Sequence, residues 1–118
     1  MDSEAIKDLF AAFGTVTVRR MFGGAGIYAD GIMIGIAFDG EVYLKADEQT
    51  VADFAAEGAH PFAYATKHGE RTLASYWSLP PRLYDDPEEL VAWARNAQTA
   101  SLTANSRRRK TAPRARKR

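Results

Sequence analysis

The chain has 118 residues and a mass of 13.0 kDa, room for one domain with a single real core, and its 46% hydrophobic content can supply that core. It has no cysteine, which excludes disulfides, thiolate metal ligands and a cysteine nucleophile. The net charge of +1 hides an asymmetry: eight of the 16 Lys and Arg residues stand from Arg107 onward, where there is no acidic residue, leaving eight against all 15 Asp and Glu, a balance of −7, in the rest.

The first ten residues, MDSEAIKDLF, are acidic and polar where a signal peptide would be basic and then apolar. No apolar run approaches the roughly 18 residues of a spanning helix, so a cytoplasmic protein without membrane contact is expected. Within residues 2–13, Ile6, Leu9, Phe10 and Phe13 recur at helical spacing, with Glu4, Lys7 and Asp8 on the other side, and Gly14 is the natural stop. The period then changes to two. Val16 and Val18 alternate with Thr15, Thr17 and Arg19 in a first strand, and Gly23-Gly24 bends the chain.

Residues 26–29 form a short second strand, and Asp30-Gly31 supplies the positive φ angles of a type I′ hairpin turn. The run IMIGIAF that follows is nearly all apolar and predicts a central strand, in which Gly35 marks the close approach of a helix or a local bulge. Asp39-Gly40 repeats the hairpin signal. In the returning strand Val42 and Leu44 share one face, with Glu41, Tyr43 and Lys45 on the other. Asp47 is placed to cap a short second helix carrying Val51, Phe54 and Ala55, which Gly58 ends. Phe62, Tyr64 and Thr66 alternate as a fifth strand, and Lys67-His68-Gly69-Glu70 turns into a sixth that Pro80-Pro81 stops. Asp86 as N-cap, Pro87 at N1 and Glu89 reaching back in a capping box start a third helix, with Leu90, Val91, Trp93, Ala94 and Ala97 on its buried face and an end near Ser101.

This pattern predicts an α+β domain: a two-layer sandwich of an antiparallel sheet with helices on one face, in the order α, four β, α, two β, α. The domain is expected over residues 1–103, followed by a disordered basic tail over 104–118.

Chemistry-bearing residues are few. Gly24-x-Gly26-x-x-Ala29 has the letters of a dinucleotide fingerprint, but its last residues run into the Asp30-Gly31 turn where the motif needs a helix N-terminus. His60 and His68 lack neighbours at metal-ligand spacing, and Ser75 lies in a strand without the sharp turn of a nucleophilic serine. No catalytic residue, metal site or cofactor is expected. Arg19 and Arg20, adjacent in a strand, must point to opposite faces, so one should meet the helix layer and need a carboxylate from Asp85, Asp86, Glu70 or Glu57. Tyr76 and Trp77 are read as core, with the alternative that they and Arg19 form a small-molecule or enzymatic site on the sheet face. Arg107, Arg108, Arg109, Lys110, Arg114, Arg116, Lys117 and Arg118 are the candidate nucleic-acid contacts, able to neutralise phosphates without reading bases. An unpaired sheet edge offers a further route, self-association.

The string Arg19-Arg20-Met21-Phe22-Gly23-Gly24-Ala25-Gly26-Ile27-Tyr28 is followed by Asp30-Gly31, Leu44-Lys45, Pro61-Phe62-x-Tyr64, Ser75-Tyr76-Trp77 and Asp86-Pro87-x-x-Leu90-x-x-Trp93-Ala94. Together these resemble the N-terminal domain of the TfoX/Sxy family over about residues 1–101. The resemblance implies a secretion-chaperone-like α+β fold, a bacterial cytoplasmic setting, and a non-enzymatic part in regulating natural competence alongside a transcription regulator. Those regulators carry a second, helical domain where this chain has a basic tail.

Overall fold

The computed structural model describes residues 1–21 and 23–116, with side chains described as far as Ser106. The first helix, α1 (Ser3–Leu9), starts where the Asp2 carboxylate accepts the Ala5 N–H at 2.9 Å, and it buries Ile6. Turns carry the chain past the buried Phe10 to Gly14, whose N–H reaches the Phe10 carbonyl at 3.0 Å, so the regular helix is shorter than its apolar spacing predicts.

Strands β1 (Thr17–Met21), β2 (Gly24–Ala29), β3 (Ile32–Phe38) and β4 (Glu41–Lys45) form an antiparallel meander. Asp30 and Gly31 at φ 52° and 79°, and Asp39 and Gly40 at 53° and 81°, make the two expected type I′ turns. The chain continues through α2 (Val51–Ala56), β5 (Pro61–Thr66), β6 (Gly69–Ser78), a 3-10 turn (Pro81–Asp85) and α3 (Pro87–Arg116). Asp47 does not cap α2 directly: its carboxylate accepts the Gln49 and Thr50 N–H groups, both at 3.0 Å, building the turn that delivers Thr50 to the N-cap position.

All six strands join one antiparallel sheet in the order β1-β2-β3-β4-β6-β5. The helices share one face of it: Ile6 and Phe10, Phe54, and Leu90, Ala94 and Ala97 meet Ile27, Ile34, Val42 and Leu44 in a single core. Alanines at 94, 97 and 100, all buried, let α3 lie close to β3 and β4. Ser101 locks that crossing, its hydroxyl donating to the Met33 carbonyl at 2.8 Å.

The other face is partly closed by the sheet itself. Ile36, Tyr43, Phe62 and Tyr76 are buried there, among the described residues without a helix packed on them. The rings of Phe38 on β3 and Phe62 on β5 stand 5.3 Å apart although β4 and β6 lie between their strands. Three strand spacings in a flat sheet span about 14 Å. The sheet is therefore strongly curled, bent where the β5–β6 register jumps from Pro61↔Trp77 to Phe62↔Leu73. A second irregularity explains the unbroken apolar run of β3. Ile27 pairs with Gly35 and Tyr28 with Met33, so Ile34 is an extra residue, and the bulge sends Ile34 to the helix-side core and Ile36 to the opposite one.

Three expectations need correction in and around α3. Asp86 does cap it, accepting the Glu89 N–H at 3.2 Å, but the Glu89 carboxylate does not reach back; it binds Arg82 at 2.8 and 2.9 Å. Trp93, expected on the buried face, is only half-buried, its ring edge-on to Phe54 of α2 at 5.0 Å. The helix also continues past Ser101, because the sequence there offers good helix formers and neither glycine nor proline until Pro113. The disordered tail expected over residues 104–118 begins inside this helix, and its residues 107–118 lie outside the described side chains.

Candidate functional site

Strand β1 is the edge of the sheet, hydrogen-bonded to β2 alone among the described residues. Alternation puts Val18 and Arg20 on the helix side and Arg19 on the other. Both arginines are nevertheless exposed, Arg19 on the face away from the helices and Arg20 beside the hollow next to α1. Among the described residues, neither guanidinium has a carboxylate within ion-pair distance. Glu57, one of the expected partners, is held instead by Arg82 at 2.7 Å. Arg19 lies over the Tyr28 ring, 5.5 Å from its centroid, and Arg20 borders an open hollow of about 810 Å³. Ile6, Val18, Ala25 and Ala37 give that hollow an apolar floor, with Asp2 and Asp39 at its rim.

The glycines of this corner serve two purposes. Gly23 has φ +82°, a turn position that favours glycine. Gly24 is in ordinary strand geometry; a Cβ there would stand 2.5 Å from the Ala37 carbonyl oxygen, so strand packing and not backbone angle demands it.

Tyr76 and Trp77 are not part of this corner. They sit on β6, separated from β1 by β2, β3 and β4, and they point to opposite faces. Tyr76 is buried on the helix-free side with the Lys45 Nζ 5.1 Å from its ring centre. Trp77 packs on the helix-side core and donates its indole N–H to the Ala74 carbonyl at 2.9 Å. The grouping of Arg19 with Tyr76 and Trp77 as one ligand site is therefore not assembled by the fold.

One constellation has no local sequence signal. Glu41, His60 and Ser78 meet at the end of β4, β5 and β6: His60 Nε2 is 3.8 Å from Glu41 Oε1, and Ser78 Oγ is 3.3 Å from His60 Nδ1. The residue types are those of a hydrolytic relay. Ser78 is only 4% exposed, though, and its oxygen accepts the backbone N–H of His60 at 3.0 Å, so the hydroxyl clasps β5 to β6 and is not presented to a substrate. Tyr43 completes the group by donating to Glu41 at 2.9 Å; burial first, then this carboxylate, pushes its pKa up to about 12. His68 is exposed in the β5–β6 turn, and Ser75 contributes its carbonyl to the Ala46 N–H at 2.8 Å. Gly24, Gly26 and Ala29 all lie within β2, without the helix N-terminus that a dinucleotide would need. Among the described residues no three His, Asp or Glu are grouped as a metal ion requires.

The family model of the TfoX N-terminal domain matches residues 8–101, from α1 to the Ser101 crossing of α3. The chain belongs to the TfoX N-terminal domain family. A curated relative, Protein Sxy of Escherichia coli (strain K12), is 28% identical over 104 residues, which cover 86% of this chain and 48% of the relative. The chain thus spans about half the length of the curated relative it matches. In this TfoX domain the R-R-M-F-G-G-x-G string supplies the last three residues of β1, the turn residue Gly23 and the first residues of β2. No described helix is long and apolar enough to cross a membrane.

Proposed function

We propose that the chain is a non-enzymatic regulatory domain that takes part in transcriptional control of competence, with its basic C-terminal run contacting nucleic acid. The domain is residues 1–103, and residues 104–118 act as its charged arm. The observation that carries this reading is the separation of charge: eight cations from Arg107 to Arg118 without an acidic residue, against a balance of −7 before them. Kinship with Sxy supports the regulatory part. Cations without an aromatic residue among them can neutralise phosphates but offer little for reading bases, so a DNA-bound transcription regulator would supply the sequence specificity. The setting is the bacterial cytoplasm.

Fluorescence anisotropy with a labelled duplex of random sequence tests the arm. Engagement of four to six phosphates gives a log–log salt slope of roughly −3.6 to −5.4 and dissociation constants of about 10⁻⁴ to 10⁻⁶ M. Deleting residues 107–118 should abolish binding. Binding that survives the deletion, or none by the intact chain at low salt, would reject the arm as the contact.

A further inference from the structure

We propose that the free edge of β1 is a docking strand for an extended, acidic segment of a protein partner, which adds to the sheet beside Thr17–Met21. This is independent of the basic arm, and either can fail alone. The first support is the backbone. In an antiparallel pair alternate residues turn their N–H and C=O groups away from the neighbour, and β1 has a neighbour on one side only. Such a row is a template for strand addition. The opposite edge differs: β5 begins with Pro61 and is curled over the helix-free face, where Phe62 and Tyr64 are drawn into the second core. Of the two edges, β1 is the one without a proline and without side chains drawn into the second cluster.

The second support is charge. Arg19 and Arg20 are exposed, without an ion-pair partner among the described residues, in a domain that is otherwise acidic. Being adjacent, they present one cation to each face of the sheet. An incoming strand with two adjacent carboxylates would answer both at once, one above and one below. A second copy of β1 would not. Antiparallel pairing of Thr17–Met21 with itself sets arginine against arginine, and like charges directly opposite are destabilising.

The third support is the hollow beside Val18 and Arg20. A strand laid along β1 sends alternate side chains to the helix side, where the floor of Ile6, Val18, Ala25 and Ala37 can receive an apolar one. Main-chain bonding supplies affinity, and the arginines with the hollow supply selection. The partner motif is thus a short β-branched segment with a central pair of acidic residues.

The test uses the full chain and the peptide acetyl-Thr-Val-Glu-Glu-Val-Thr-amide. Hydrogen exchange localises binding and separates β1 from the basic arm. Added peptide should slow exchange in 17–21. Peptides with alternate amides N-methylated, made in both phases, should bind roughly tenfold more weakly in at least one phase. The Lys-Lys counterpart should leave β1 unchanged, and Arg19→Glu/Arg20→Glu should reverse the preference between the two peptides. Both arginines are exposed, so that variant keeps the fold. Protection confined to residues 107–118, equal binding of all N-methylated forms, or β1 protection that rises with protein concentration alone would overturn the proposal, the last in favour of self-association.

Discussion

Gly31 and Gly35 are both demanded by the fold, but through different physics. At Gly31 a Cβ would meet nothing within 4 Å, and the constraint is the φ of +79° that the type I′ turn imposes. Gly31→Ala should therefore cost about 1 kcal/mol of backbone strain. At Gly35 the backbone is permissive and the space is not: a Cβ would stand 2.7 Å from the Tyr43 carbonyl oxygen and 3.3 Å from Leu44. A carbonyl held in a strand cannot step aside as a side chain can, so Gly35→Ala must shift β3 against β4 and should lower the urea midpoint more than Gly31→Ala does. Equal losses would mean that the bulge at Ile34 absorbs the extra methyl. Sequence reading reached both positions, since Asp-Gly pairs announce turns and a glycine inside an apolar run announces a bulge. It could not separate backbone angle from packing at Gly24, because the Ala37 carbonyl that crowds it is placed by strand pairing.

At the level of elements, Arg82 ties three pieces together. From the turn before α3 it binds Glu57 at the end of α2, with bonds of 3.1 and 2.7 Å, and Glu89 in the first turn of α3. Its hydrogen bonds hold both carboxylates below their ordinary range near 4.5, with its charge adding to the effect. A carboxylate with a lowered folded pKa stabilises the fold above its unfolded pKa, and the contribution is lost as pH falls through the folded value. Arg82→Ala should lower the denaturation midpoint at pH 7, and the difference from wild type should shrink as the pH drops to about 3. All three groups are solvent-exposed, so added salt should narrow the gap too. A gap unchanged between the two pH values would place the effect of Arg82 outside the clasp. This arrangement also shows what local patterns miss. Asp86-Pro87 marked the start of α3 because a cap acts within one turn. Glu89 had two possible partners, the backbone behind it and a cation elsewhere, and only the packing of the Pro81–Asp85 turn beside α2 decided between them. Arg19 and Arg20 are parallel: alternation assigned their faces, but whether a face is covered depends on strand order, which no local pattern carries.

Across the whole molecule, the described residues form two apolar clusters sharing one sheet, and β6 belongs to both. Tyr76 and Leu73 face the helix-free cluster, Trp77 the helix-side one, and Tyr76 and Trp77 are neighbours in the chain. Loss of the smaller cluster should therefore reach the larger through the backbone of a single strand. Phe62 is the lever. It is fully buried, it lies within ring contact of Phe38, Tyr43 and Tyr64, and it holds the curled edge down. Phe62→Ala removes a large buried ring and should cost roughly 3 to 5 kcal/mol. Both tryptophans, Trp77 and Trp93, pack against the helix-side cluster, so indole fluorescence reports that side alone, while far-ultraviolet dichroism reports the helices and sheet together. If the clusters form one cooperative unit, the variant's fluorescence and dichroism midpoints in urea should fall together and by the same amount. Fluorescence that kept the wild-type midpoint while dichroism lost an early phase would instead make the β5–β6 hairpin a separately folding flap over the sheet, with the Ser78–His60 clasp too weak to couple it to the helix side.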